Sequence, residues 1–364
     1  MGNRPVALVC PLDWGIGHAT RCVPVIKALI DNGFEPVIAA SGKPLQFMKG
    51  EFPGIRTVDF PGVTVVYPDR GGMVLPMLRL APKFFAGILR EHRILKRLVS
   101  ETGASLVVSD NRYGCWHKQV LSVFLTHQLD IALPPKWRWL RKLLRGLNYR
   151  FIRRYHECWI PDFELHRGLA GALSHPPTIP ANAHYIGILS RFGEENARPG
   201  QTFDRPFDLL VMLSGPEPQR TILEEKILKQ LAGLELRSAI LRGLPGNGGE
   251  RVIDGRIHIF PHLPTGRLRE LILKSEIVLC RSGYSSIMDL VTLGKSAILI
   301  PTPGQTEQEY LARYLMDKKI YLSANQDGFE LLFALELVKN FPGMTIRNDL
   351  KELETRIRTL KGEG

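Results

Sequence analysis

RSGYSSIMDLVTLGKSAILIPTPGQTEQEY, residues Arg281 to Tyr310, is the most informative stretch of this 364-residue chain. It follows the apolar run Ile277-Val278-Leu279-Cys280, which reads as a buried parallel strand. Ser282-Gly283 turn the chain. Ile287, Leu290, Val291 and Leu293 then mark a short helix that stops at Gly294. A second apolar strand runs from Ala297 to Pro301, and a Pro/Gly loop leads to another helix near Glu307. The order is strand, loop, helix, strand, loop, helix.

That order predicts where chemistry can sit. A helix N-terminus has unpaired N–H groups and the positive end of a dipole, so Ser282, Gly283, Ser285 and Ser286 are candidates to hold a diphosphate. Asp289, one turn on, is placed to accept from two ribose hydroxyls, and Gln308 and Glu309 to read sugar hydroxyls. The plainer alternative is an ordinary βαβ unit with a serine-capped helix.

Several residues here follow a known pattern: Arg281-Ser282-Gly283, the serines after it, Asp289, Leu293-Gly294-Lys295, Ala297 to Pro301, and the acid/amide run that precedes Tyr310. The pattern resembles the C-terminal domain of family 28 glycosyltransferases. The resemblance is strongest from Leu209 to Tyr310, weaker at the N-terminus, and slight from Val63 to Arg198. Ser296 stands where many members have Pro.

The resemblance implies an α/β GT-B fold, with two Rossmann-like domains whose parallel sheets face an inter-domain cleft. Residues 1–200 would bind the acceptor and 201–364 the nucleotide sugar, with the last helix crossing back to the first domain. It also implies donor contacts at Gly15, Gly17, Ser214, Gly215, Arg220, Arg242, Phe260, Leu263 and Gln305, beside those already named.

Composition bounds the class. Apolar content of 44% and charged content of 23% are those of a globular protein, and the length suits two domains. The five cysteines are scattered, with no CxxC and no metal spacing. With no targeting segment visible, they predict a reducing cytoplasm. No apolar run reaches the ~20 residues of a membrane span. A net charge of +12 implies an anionic partner: phosphate-bearing substrate, membrane surface or nucleic acid.

Pro5 to Leu12 reads as the first strand, and Asp13-Trp14-Gly15-Ile16-Gly17-His18 as the turn into a helix with Val23, Ile26, Leu29 and Ile30 on one face. Thr20 stands where a dinucleotide fingerprint needs its third glycine. The second strand, Glu35 to Ala40, ends without an acid, which disfavours a nicotinamide site. His18 is a candidate general base, because neutral imidazole suits proton abstraction near pH 7. A capping or acceptor-positioning role is the alternative, and Asp13 is the rival base. Residues 43–104 read as short helices with a strand from Ile55 to Phe60 and a polar turn at Asp69-Arg70-Gly71-Gly72. Asp110 ends the apolar strand Leu106-Val107-Val108-Ser109, so it can orient His18 or bind acceptor, or simply form a turn with Asn111. The next strand ends in His127-Gln128, a candidate acceptor segment by likeness to the family.

From Pro134 to Tyr155 the pattern is amphipathic. Trp137, Leu140, Leu144, Leu147 and Phe151 fall on one helical face, among Lys136, Arg138, Arg141, Lys142, Arg145, Arg150, Arg153 and Arg154, with no acid. This reads as an interfacial helix with its apolar face in lipid and its cations on anionic headgroups, contacting membrane through Trp137, Leu140, Arg141, Leu144 and Arg145. A core helix with a basic outer face and a nucleic-acid patch are the alternatives; no groove-reading motif supports the last.

Together these readings predict an inverting glycosyltransferase. The donor is a UDP-sugar, such as UDP-N-acetylglucosamine, and the acceptor a lipid-linked or glycan hydroxyl. No DxD-type acidic pair with an appropriate strand context appears, so no metal or other cofactor is expected, and helix N-termini with Arg220 would neutralise the leaving UDP. The expected location is cytoplasmic, peripheral on the inner face of the membrane. The alternatives are a UDP-sugar 2-epimerase and a non-catalytic anionic-surface-binding protein on the same scaffold.

Overall fold

The structure, a computed structural model, describes residues 4–62, 74–164, 168–193, 207–244, 249–347 and 349–362, with the backbone alone over 74–81. These residues fall into two compact units. One is built from the described parts of 1–66, 74–191 and 348–364, the other from those of 192–347. The boundary expected near residue 200 and the turn expected at Asp69-Gly72 lie outside the described residues.

The first unit runs β1 (Val6–Cys10), α1 (Ile16–Asp31), β2 (Glu35–Ala40), α2 (Gly42–Glu51), β3 (Thr57–Asp59), α3 (Val74–Thr102), β4 (Ala104–Asp110), β5 (Leu121–Leu125), α4 (Arg141–Ile152), β6 (Glu157–Ile160) and β7 (Ala183–Tyr185). Its sheet has the order β3-β2-β1-β4-β5-β6-β7, with every pair parallel. The central strands are apolar nearly throughout because helices cover both faces. The strand order reverses between β1 and β4, so the loops after these two strands border the crevice where open α/β sheets bind ligands.

Where short helices were expected across 43–104, α3 is one helix of 29 residues. Ile88, Glu91, Leu95, Leu98 and Val99 are buried along it at helical spacing, and the helix continues through Pro82. Lys83, Arg90, Arg93, Lys96 and Arg97 form its solvated side.

The second unit runs β8 (Phe207–Met212), α5 (Gln219–Leu231), β9 (Ser238–Leu241), β10 (Arg251–Ile253), β11 (Ile257–Phe260), α6 (Thr265–Leu273), β12 (Ser275–Cys280), α7 (Tyr284–Leu293), β13 (Ala297–Leu299), α8 (Thr306–Asp317), β14 (Leu322–Ser323) and α9 (Leu331–Leu337). Its sheet order is β10-β11-β9-β8-β12-β13-β14, parallel except for β10. The reversal here falls between β8 and β12. Both strand-loop-helix units read from Arg281 to Tyr310 form, and Gly294 ends α7 in the left-handed conformation at φ 62°.

The last helix, α10 (Lys351–Lys361), belongs to the first unit. It packs on α1 through buried Leu353 and Ile357, and Arg356 pairs with Glu157 at the start of β6. Arg358 donates to Asn32 at 3.1 Å.

Candidate active site

In the first unit, the turn after β1 leads into α1 with no side chain capping it, so Gly15 is the N-cap and Gly17 and His18 lie in the first helical turn. Asp110 is the last residue of β4, the neighbouring strand. The switch in strand order therefore brings His18 to Asp110: Nδ1 lies 3.0 Å from Oδ2. The imidazole is 21% exposed and the carboxylate fully buried, so the ring has one nitrogen held from inside and an accessible edge.

Arg21, one turn after His18, completes the cluster. Its Nε donates to both oxygens of Asp110 at 2.9 and 3.0 Å, and its Nη1 lies 3.2 Å from His127 Nδ1. Cys22 adds a thiol contact to Asp110 at 3.8 Å. Burial works to raise the Asp110 carboxyl. The charges and hydrogen bonds of Arg21 and His18 outweigh it and hold the group below the usual carboxylate range. Arg21 Nη2 also lies 3.0 Å from His18 Nδ1. A single ring nitrogen either donates to Asp110 or accepts from Arg21, so the tautomer chooses between these contacts.

Asp13, the rival base, sits in a second cluster. Its Oδ2 accepts the Gly62 N–H at 2.6 Å, its Oδ1 accepts from Ser41 at 3.4 Å, and Arg112 stands at 3.9 Å. Arg112 is itself paired with buried Glu91 at 3.1 Å. Burial raises the Asp13 carboxyl, against the pull of Arg112. His127, expected to face an acceptor, is buried against Arg21; Gln128 is half-buried with its carbonyl held by Asn148. The sequence reading gave Arg21 no role. The available signal was a cation three residues after His18, on the same helical face, in an otherwise apolar run.

The membrane reading needs a correction of register. Residues Pro135–Leu140 form a 3-10 turn before α4. Three residues per turn rather than 3.6 rotates the stripe, so Trp137, Leu140 and Leu144 are half-buried. Arg141 and Arg145 turn in to buried Asp130, at 2.9 and 3.4 Å. The outward apolar residues are Trp139, 73% exposed, Leu143, 67% exposed, and Leu147. They continue onto α3 through Phe85, which stacks on Phe151 at 6.2 Å, and exposed Leu89. Lys136, Arg138, Lys142, Arg150 and Arg153 are exposed around them.

In the second unit the loops after β8, β12 and β13 gather at one edge of the sheet. Ser214 and Gly215 are exposed, and Gly215 holds φ +99°, a conformation that favours glycine. Gly283 is the N-cap of α7, with Ser285 and Ser286 half-buried in its first turn and Asp289 buried one turn on. Ser282 donates to the Gln308 carbonyl at 2.9 Å, while Gln308 Oε1 accepts from Thr302 N–H at 2.8 Å. Gln308 thus staples two loops, and Glu309 accepts from Gly304 N–H at 2.9 Å. Gln305 is the N-cap of α8.

Arg220, expected to face a diphosphate, instead spans Glu217 at 2.5 Å and Glu224 at 2.6 Å, and Arg242 meets Glu224 at 2.7 Å. These partners at i−3 and i+4 use the cation's charge within α5 and the turn before it. Phe260 and Leu263 are buried, and the Phe260 carbonyl accepts from Arg242 N–H at 2.9 Å. Among the described residues, no group of three or more His, Cys, Asp or Glu has a metal-binding arrangement, and no helix is long and apolar enough to cross a membrane.

Residues 256–336, which contain the loops after β12 and β13, match the family model described as the glycosyltransferase family 28 C-terminal domain. The chain is a glycosyltransferase of the GT-B fold. It is 23% identical over 299 residues to an uncharacterized glycosyltransferase of Methanopyrus kandleri, covering 79% of this chain and 82% of that one. Over 104 residues it is 34% identical to the UDP-N-acetylglucosamine--N-acetylmuramyl-(pentapeptide) pyrophosphoryl-undecaprenol N-acetylglucosamine transferase of Desulforudis audaxviator, covering 27% of each. The solved glycosyltransferase SnogD of Streptomyces nogalater superposes with a TM-score of 0.61 at 15% identity, over 99% of this chain and 96% of that one. The family 28 match therefore covers the loop after β12 and the N-terminus of α7, on one side of the switch between β8 and β12, and leaves the turn at Gly215 outside it.

Proposed function

We propose that this glycosyltransferase moves an N-acetylhexosamine or hexose from a UDP-sugar to the hydroxyl of a lipid-linked acceptor, with inversion and without a metal. The observation that carries the proposal is the 3.0 Å contact between His18 and Asp110 at the switch point of the first sheet.

With Nδ1–H donated to Asp110, Nε2 holds the free lone pair and serves as general base. It takes the proton of the acceptor hydroxyl while that oxygen attacks the anomeric carbon. The bond from that carbon to the diphosphate breaks, UDP departs on the opposite face, and the configuration inverts. The developing charge on UDP is met by the N–H groups at the start of α7 and by the turn at Gly215. Gln308 and Glu309 hold the loops beside this site. The UDP donor is supported by the printed name of the Desulforudis relative. A lipid-linked acceptor is supported by the outward stripe of Trp139, Leu143 and Leu147 within a ring of cations, a surface suited to anionic lipid.

Thermal shift against UDP-, GDP-, dTDP- and ADP-sugars, with and without added metal, tests the donor. A ligand at ~100 times its dissociation constant adds about 2.7 kcal/mol of stability. A UDP-selective shift that survives chelation is expected; no shift with any nucleotide removes the reading. The anomeric configuration of the product, read by NMR, tests inversion.

A further inference from the structure

We propose that Arg281 is a buried cation matched to the diphosphate of the donor, a positioning residue that acts from beneath the loops of the second unit. This rests on the donor site proposed above. Arg281 follows β12 directly, at the switch point of the second sheet, and its side chain is 1% exposed. Its Nη2 donates to the Gln219 carbonyl and to Gln326 Oε1, each at 2.7 Å. Its Nη1 donates to the carbonyls of Ile300 and Pro301, each at 3.3 Å. One guanidinium therefore ties the first residue of α5, the end of the β13 segment and the loop after β14.

Its charge is a separate matter. Arg21, Arg112 and Arg220 each meet a buried carboxylate. Among the described residues none meets Arg281, whose partners are neutral dipoles and whose buried Nε has no partner. A cation out of water and without a counter-charge is costly to keep. Burial accordingly pushes this guanidinium down to about 10. The buried Thr302 hydroxyl beside it also lacks a partner, and a Cβ on Gly215 would lie 3.5 Å from that hydroxyl. An unspent hydroxyl thus sits beside the glycine turn, and an unspent positive charge is bonded to the carbonyl of Pro301, the residue before Thr302. A diphosphate in that turn supplies the missing anion, whereas a neutral nucleoside does not.

Calorimetric titration of the full chain and of Arg281→Gln and Arg281→Lys with UDP, UMP and uridine tests this. Arg281→Gln is expected to weaken UDP by about 10- to 100-fold and uridine by less than about threefold, with the ligand-free melting temperature held or raised. Arg281→Lys, which keeps the charge, is expected to keep most of the preference for UDP over uridine. Equal losses for UDP and uridine in either variant mean a rivet between loops and overturn the inference, as does a Gln variant that binds UDP like the parent. Should Arg281→Gln not fold, the Lys variant decides, since loss of its UDP preference also overturns the inference. A parent that binds no UDP removes the donor site itself, a different failure.

Discussion

His18 Nδ1 lies 3.0 Å from Oδ2 of Asp110, and the same carboxylate receives Arg21 Nε on both oxygens. One buried acid thus orients a mostly buried imidazole with an accessible edge and neutralises a buried cation. These two tasks separate in mutants.

His18→Ala removes the base and leaves the buried pair intact. Turnover is expected to fall by about two to four orders of magnitude, while UDP affinity stays within about twofold. Steady-state kinetics beside calorimetry checks this. Near-parental turnover excludes His18 as the base and returns attention to Asp13.

Asp110→Asn strips the carboxylate from Arg21, which is only 2% exposed. Breaking a buried pair on one side costs about 3–5 kcal/mol, so this variant is expected to unfold at markedly lower urea. The pH dependence has a definite sign. The Asp110 carboxyl is held below its ordinary value, so its stabilisation is full above an unfolded value of about 3.9 and is lost as pH falls through the folded one. The urea midpoint of the parent should therefore fall more steeply into acid than that of Asp110→Asn. Parallel curves would contradict this assignment.

Trp139→Ser and Leu143→Ser remove the outward apolar stripe of α4 and the turn before it. Each buried side chain of this size contributes about 1.5–3 kcal/mol, and each cation near an anionic surface about 1 kcal/mol. The double variant is expected to lose at least about tenfold in sedimentation with phosphatidylserine vesicles, and Lys142→Glu with Arg150→Glu to lose binding in a salt-dependent way. UDP-dependent thermal shifts should persist in both. Undiminished vesicle binding would discard the lipid surface.

Gly114→Ala and Gly146→Ala form a pair of opposite sign. A Cβ on Gly114 would stand 2.5 Å from the Ile88 carbonyl and 2.6 Å from Glu91 Cβ, so α3 must move, at about 1–3 kcal/mol. Gly146, inside α4, has nothing within 4 Å of its Cβ, and alanine there should gain about 0.5–1 kcal/mol. Urea titration of both variants checks the contrast.

Strand ends were readable from the residues alone, because buried parallel strands are unbroken apolar runs that stop at the ligand edge. Asp110 and Ser282 were found that way. What stayed hidden depended on distant partners or on small changes of helical pitch. Arg220 sits at a loop mouth, where a cation suits a ligand, but the i−3 and i+4 spacing of Glu217 and Glu224 is the stronger signal and decides its partners. Trp139 was passed over because one 3-10 turn shifts the outward face. The charge of Arg281 required knowing that no acid comes near, which no local pattern contains.

The membership of α10 in the first unit sets an order on synthesis. The strands of that unit emerge early, yet the helix that covers α1 and pairs Arg356 with Glu157 is made only after residues 192–347. At ~5–20 residues per second the ribosome needs roughly 10–30 s to reach it. During that interval the nascent chain shows the face of α1 that Leu353 and Ile357 later cover. The first unit is therefore completed only when the last helix arrives, and until then it carries an uncovered apolar face for a defined interval of synthesis.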